Sequence, residues 1–417
     1  MGKFDNCKIQ KLLFINCTDV GSTGKIIQCI TKCTNEFDIE NILVVPRSFQ
    51  SKPMSISKVY AVSSKNRQRF VYYFSKLNGN RYGQSFISTN KVISILNREK
   101  PDVVHVHCAN GSFLNLYRLF TYLGKNHIPT VITNHAEFYY TGNCDHAYYC
   151  DRWKHGCGKC PNPNALFDCT SYWWKKMKIA IQSMKYLTVT SVSNWVFNRS
   201  KSSPIMYGTH QVVVENAVDT TLFHIYTEND IEQKFPEFNT SNKILLYVTA
   251  FFYGNSEKKG SKYLLQLAER LNNSDITIIV AGSFQEGLVV PDNVKLLGRV
   301  NSQLDLAKMY HKACLTCITS ERETFSMPVA ESLCCGTPIV GFKAGGPESV
   351  ALNEYSEFVP YGNVEALERA VKNWIDYKTD STSLNISLVA KNQYSDIKMG
   401  HEYLRVYEDL YRSKLDD

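Results

Sequence analysis

Short runs of branched apolar residues recur along this chain at helix-length intervals, stop once, and then resume. The first series is KLLFIN (11–16), NILVVP (41–46), DVVHVHC (102–108), PTVITNH (129–135), YLTVTSV (186–192) and QVVVENAV (211–218). Runs of this kind suit strands buried on both faces, and the amphipathic stretches between them supply the crossover helices of a parallel sheet. A second series follows: KILLYVTAF (243–251), DITIIVAG (275–282), VKLLG (294–298), ACLTCITS (313–320) and TPIVGF (337–342). The intervening 219–242, DTTLFHIYTENDIEQKFPEFNTSN, is polar and reads as a connection between domains. The expectation is an α/β chain of two doubly wound, Rossmann-like domains, 1–218 and 243–387, with a terminal helix in 388–417 that could return to the first domain. A length of 417 residues fits two cores better than one. In such sheets ligands bind beyond the carboxyl ends of the strands, so two domains facing each other would place a cleft between them.

Composition narrows the class. Hydrophobic residues at 44% and charged residues at 21% are those of a globular protein. No apolar run nears the roughly 20 residues that span a bilayer. The N-terminus lacks a secretory pattern, and Asn6 stands where a myristoylation motif takes Ser or Thr. A cytoplasmic protein is expected, its fourteen cysteines serving as thiols or metal ligands. Residues 1–241 carry 28 Lys and Arg against 17 Asp and Glu, or +11, whereas 242–417 carry 19 against 22, or −3. The first half should therefore meet an anion. Its basic, aromatic stretches SKNRQRFVYYFSKLNGNRYG (64–83) and SYWWKKMKIAIQSMK (171–185) suit an anionic membrane surface, although a solvated helix face over buried aromatics would look the same. No nucleic-acid recognition motif accompanies the charge, so nucleic acid is not an expected partner.

Several segments carry chemistry. In ERETFSMPVAESLCCG (321–336), Pro328 suits the first turn of a helix and Gly336 its end. Glu323 then sits in a loop and Glu331 on the first helical turn, with free amides near Phe325, Ser326 and Met327 suited to phosphate. Carboxylates can accept the paired hydroxyls of a ribose or a sugar. The turn AGGPES (344–349) could add amide donors. A capping glutamate and an ordinary turn would account for the same residues. Gly21 and Gly24 in DVGSTGKI let backbone amides approach a phosphate or an acceptor. His105 and His107 share a strand face and could reach an acceptor or simply pack. In CDHAYYCDRWKHGCGKC, the thiols of Cys144, Cys150, Cys157 and Cys160 could close a structural zinc site. Disulfides or free thiols are the alternatives, and Cys314 with Cys317 is expected in the core.

The 321–338 segment resembles the E-x7-E signature of family 4 glycosyltransferases with the GT-B fold, matched at Glu323, Phe325, Met327, Pro328, Glu331, Gly336, Thr337 and Pro338. The resemblance implies that Glu323 contacts a donor sugar, that amides of Phe325 to Met327 meet the sugar and diphosphate, and that Glu331 holds ribose hydroxyls. DVGSTGKI is similar to the family's N-terminal glycine loop, VITNHAEF puts His135 at its cleft histidine, VENAVD carries Asn216 in an acceptor-side loop, and EKKGSKYL puts Lys259 at its diphosphate lysine. Tyr253 stands where the family carries an arginine, leaving Lys258 or Arg299 to compensate. No D-x-D pair of a metal-dependent transferase is found, which implies no catalytic cofactor. The cysteine-rich stretch resembles enzymes of extracellular polysaccharide synthesis, including the colanic-acid type. The implied function is retaining transfer from a nucleoside-diphosphate sugar to a glycan acceptor, lipid-linked and at the inner face of the cytoplasmic membrane, for surface polysaccharide, capsule or lipopolysaccharide. In such enzymes the departing phosphate is thought to help deprotonate the acceptor. The alternatives are a nucleotide-sugar 2-epimerase and a non-catalytic, zinc-stapled binding protein.

Overall fold

The computed structural model describes residues 9–47, 55–161, 165–228 and 230–417. The reading at Asn6 lies outside them. Contacts divide the chain into two units, 1–215 with 399–417, and 216–398.

The first unit is built on seven strands, β1 (Lys11–Ile15), β2 (Glu40–Val45), β3 (Lys58–Ala61), β4 (Val103–Val106), β5 (Thr130–Asn134), β6 (Leu187–Ser191) and β7 (His210–Val213). All pair in parallel in the order β3-β2-β1-β4-β5-β6-β7. Central β1 sets Leu13 against Ile42 on one side and Val104 on the other. Its Leu12 to Ile15 are fully buried, as an unbroken apolar run requires. The order reverses between β1 and β4, the place where such sheets open a crevice at their carboxyl ends.

The second unit repeats the scheme with β8 (Lys243–Phe252), β9 (Ile276–Phe284), β10 (Val294–Gly298), β11 (Leu315–Ile318), β12 (Ile339–Phe342) and β13 (Ser356–Val359). These too are parallel, ordered β10-β9-β8-β11-β12-β13, with the reversal between β8 and β11. Leu245, Ile278, Leu315, Cys317 and Val340 join one buried cluster, so Cys317 is core as expected, and Cys314 packs at its edge.

Three local expectations change. The polar 219–242 segment folds onto the second unit: Phe223, Ile231 and Phe238 are buried. Asp230, Glu232 and Lys234 pair with Lys308, Lys312 and Asp305 of the helix Gln303–Lys312. The terminal stretch forms two helices, Asp380–Gln393 and Asp396–Leu415. They part where the Tyr394 carbonyl accepts Val218 N–H at 3.0 Å and the Tyr394 hydroxyl donates to the Val350 carbonyl at 2.6 Å. Edge strands β3 and β13 complete the sheets. Among the described residues no helix is long and apolar enough to cross a membrane.

Candidate active site

In the second unit the loops after β8 and β11 lie side by side at the strand-order reversal. Tyr247, on β8, donates its hydroxyl to the Lys259 carbonyl at 2.6 Å, and Thr319, just past β11, donates to the Gly260 carbonyl at 2.9 Å. Gly260 has φ +79°, and a Cβ there would stand 1.9 Å from the Thr319 carbonyl oxygen. Only glycine lets the two loops meet so closely. The result is that Lys259 Nζ lies 3.3 Å from Glu323 Oε1, with side chains 56% and 28% exposed. Ion pairs this open stabilise by only about 0–1 kcal/mol, so this one opens readily.

The Glu323 loop is fixed by its backbone. Glu323 N–H donates to the Ala344 carbonyl at 3.1 Å, and Gly346 N–H donates to the Glu323 carbonyl at 2.8 Å. In the AGGPES turn the Ala344 and Gly345 N–H groups already donate to the Glu348 carboxylate at 2.9 Å, so these two are not free donors. Gly346 instead allows the turn to press on the loop, since a Cβ there would lie 2.5 Å from the Phe325 nitrogen.

Ser326 turns the chain into the helix Met327–Cys334 with φ +77°, an uncommon conformation outside glycine. Phe325 is buried with its ring against Tyr394 at 6.4 Å, so its backbone is the part available to a ligand. Glu331 is the fifth residue of the helix, on its second turn rather than its first. It is nearly buried, and its Oε2 accepts the Tyr310 hydroxyl at 3.1 Å. Burial, reinforced by that carboxylate, holds the Tyr310 phenol well above its usual pKa, so it remains a donor. Lys258 and Arg299 are exposed. Tyr253 is half-exposed with its ring 4.0 Å from that of Phe251.

The first unit holds a row of histidines at the ends of β4 and β5. His105 and His107 rings lie 3.8 Å apart, and His107 Nδ1 is 2.9 Å from His135 Nε2. His107 is fully buried against His135, and its Nε2 has no protein partner. His105 is packed, bonded at 2.7 Å to Tyr407 of the last helix and at 2.7 Å to Thr133. Burial lowers all three imidazole pKa values, that of His135 to about 4, so the row is neutral at pH 7. One of the two facing nitrogens of His107 and His135 must then carry the shared proton.

Two further groups escape a reading of the sequence. Asn16 is buried at the end of β1; its amide donates to the Thr18 carbonyl at 2.7 Å and Thr23 Oγ1 at 3.0 Å, and its oxygen accepts Cys108 N–H at 3.1 Å. It thus shapes the glycine loop, where Gly21 opens the helix Gly21–Asn35 and Gly24 lies against the Asp19 carbonyl. Glu137, fully buried two residues past His135, pairs with Arg199 at 2.6 Å and accepts Ala147 N–H at 2.6 Å, anchoring the cysteine-rich loop. The acid in HAEF was the available signal. Asn216 is buried with its Oδ1 unpaired.

None of Cys144, Cys150, Cys157 and Cys160 is in a disulfide, and burial, then the neighbouring thiols, pushes Cys144 and Cys157 up to about 12. Among the described residues no group of three or more His, Cys, Asp or Glu is arranged to hold a metal ion.

Two Rossmann-like units, the second bringing Lys259 beside Glu323 with Glu331 on the helix that follows, agree with the GT-B glycosyltransferase resemblance drawn from the sequence. Comparison with known proteins agrees: the family description "Glycosyltransferase Family 4" matches residues 46–222 and "Glycosyl transferases group 1" matches residues 228–387. The chain belongs to the family 4 glycosyltransferases. It is 22% identical to the N-acetyl-alpha-D-glucosaminyl L-malate synthase of Bacillus anthracis, over 82% of this chain and 84% of that one. It is 23% identical to an Escherichia coli K12 protein named as a colanic acid biosynthesis glycosyl transferase, WcaC, over 74% and 77%. Among solved structures, Anabaena Alr3699/HepE in complex with UDP-glucose has the same fold, with TM-score 0.65 at 14% identity over 96% and 99%.

Proposed function

We propose that this glycosyltransferase moves a sugar, with retention and without a catalytic metal, from a nucleoside-diphosphate sugar to a lipid-linked glycan in surface polysaccharide synthesis. The observation that carries the reading is the Lys259–Glu323 pair at 3.3 Å beside the helix that bears Glu331. Lys259 would take up charge on the departing diphosphate, Glu323 would meet sugar hydroxyls, and Glu331, oriented by Tyr310, would accept from the ribose. Exposed Lys258 and Arg299 are the cations at hand where Tyr253 provides none. His135, held by His107, would orient the sugar as a neutral group. Gly21, Gly24 and Asn216 are assigned to donor and acceptor contacts by the same resemblance.

The complex of Alr3699/HepE with UDP-glucose supports a nucleotide sugar as donor, and the name of the Escherichia coli relative supports a polysaccharide product. The basic, aromatic stretches of the first unit support action at the inner face of the cytoplasmic membrane. For the four clustered cysteines a structural zinc is proposed, supported by the left-handed turn at Gly156, Cys157, Gly158 and Lys159. The thiols do not form a ready-made site, so the metal would have to draw them together. Elemental analysis of the purified protein finding no zinc would remove that assignment.

The testing experiment is a screen of nucleotide sugars for thermal stabilisation and slow hydrolysis, with and without EDTA. One or few donors should stabilise the protein and release nucleoside diphosphate and a sugar of retained anomeric configuration in EDTA. Loss of turnover in EDTA would overturn metal independence. Conversion of the donor to its 2-epimer would support the epimerase reading instead.

A further inference from the structure

The helices Lys65–Asn78, Leu116–Lys125 and Thr170–Gln182 of the first unit border a groove of about 950 Å3. Phe70, Phe74, Phe86, Trp173 and Ile179 line its walls. These side chains are not core: Phe70 is 70% exposed and Ile179 67%. Phe70 and Phe74 stack in parallel with ring centroids 6.2 Å apart. Large apolar side chains gathered along one exposed groove mark a surface that meets another apolar body.

Two further features say what kind of body. Lining the same groove, the Gln84 amide and the Tyr117 hydroxyl are buried and have no hydrogen-bond partner in the protein. Buried polar groups are ordinarily paired, so these two are satisfied only when something else enters. Arg118, Lys125 and Lys176 also line the groove, and among the described residues no acidic side chain lines it. The complementary ligand has a long apolar chain, a hydrogen-bonding head and negative charge.

We propose that this groove binds a phosphate-bearing lipid, its hydrocarbon chain lying along Phe70, Phe74 and Ile179. Gln84 and Tyr117 bind the head, and Arg118, Lys125 and Lys176 meet the phosphate. A flat anionic surface would use the cations but would leave the two buried polar groups unpaired. The proposal rests on the lipid-linked acceptor reading and deepens it, assigning the acceptor's chain to this groove.

The test is binding of farnesyl phosphate to the full chain by titration calorimetry, with farnesol and inorganic phosphate as the tail-only and head-only probes. Farnesyl phosphate should bind at one site at least about tenfold more tightly than either. Phe74→Ser with Ile179→Ser, and separately Lys176→Glu, should each weaken it by about tenfold or more at an unchanged melting temperature. All three positions are exposed, so the variants should fold. No binding, equal binding of the three probes, or unchanged affinity in both variants would overturn the proposal. Transfer to a soluble glycan but not to a lipid-linked one, with farnesyl phosphate still bound, would overturn the acceptor reading and leave the groove standing. Unchanged kcat/KM for a lipid-linked acceptor in both variants would do the reverse.

Discussion

Glu331 and Tyr310 stand 21 residues apart and meet at 3.1 Å, so the carboxylate assigned to the donor ribose is aimed by a phenol from the preceding helix. Tyr310→Phe should therefore raise the KM for donor by about fivefold, the worth of one ordinary hydrogen bond, with kcat nearly unchanged. Steady-state kinetics decides it, and a fall in kcat with no change in KM would count against the role. The glutamates are legible in the sequence because Pro328 and Gly336 delimit the helix that separates loop Glu323 from helical Glu331. Tyr310 is not legible, since its approach depends on how two helices pack. The histidine row makes a second prediction. His135 is held at about 4 when folded and rises toward the ordinary 6.5 when unfolded. Below pH 6.5 the unfolded chain then binds the extra proton, so stability is lost as pH falls toward 4, and buried His105 and His107 act in the same direction. The melting temperature should drop between pH 6.5 and 4, less steeply in His135→Gln; an equal slope in the two proteins would contradict the assignment.

At the scale of elements, the loop from β8 and the loop from β11 are joined through Gly260. Gly260→Ala should destabilise the second unit by about 3 kcal/mol or more, because the methyl meets the Thr319 carbonyl and the backbone is left-handed. Chemical denaturation measures this, and wild-type stability would show that the loops separate freely. Eleven of the strands coincide with apolar runs; for nine of them this is because buried parallel strands need apolar residues on both faces, while edge strands β7 and β10 carry a run although partly exposed. Edge strands β3 (KVYA) and β13 (SEFV) are half-exposed and carry no such run. The segment 219–242 misleads because three buried side chains, Phe223, Ile231 and Phe238, are scattered among polar residues whose partners lie on a distant helix.

For the whole molecule, the charge asymmetry of the sequence separates two kinds of chemistry. The basic first half carries the histidine row and the aromatic groove, whereas the second carries Lys259, Glu323 and Glu331 on a sheet of its own. Fold and family are legible because they rest on repeated local patterns. Acceptor and linkage are not, because they depend on a few side chains brought together by packing. Glu323, the carboxylate assigned to the donor sugar, is the most direct point of test. The measurement is nucleoside-diphosphate release from the stabilising nucleotide sugar, with EDTA present, by the wild type and Glu323→Gln. The predicted result is a loss of about 100-fold or more in kcat/KM at an unchanged melting temperature, and wild-type turnover by the folded variant would contradict it.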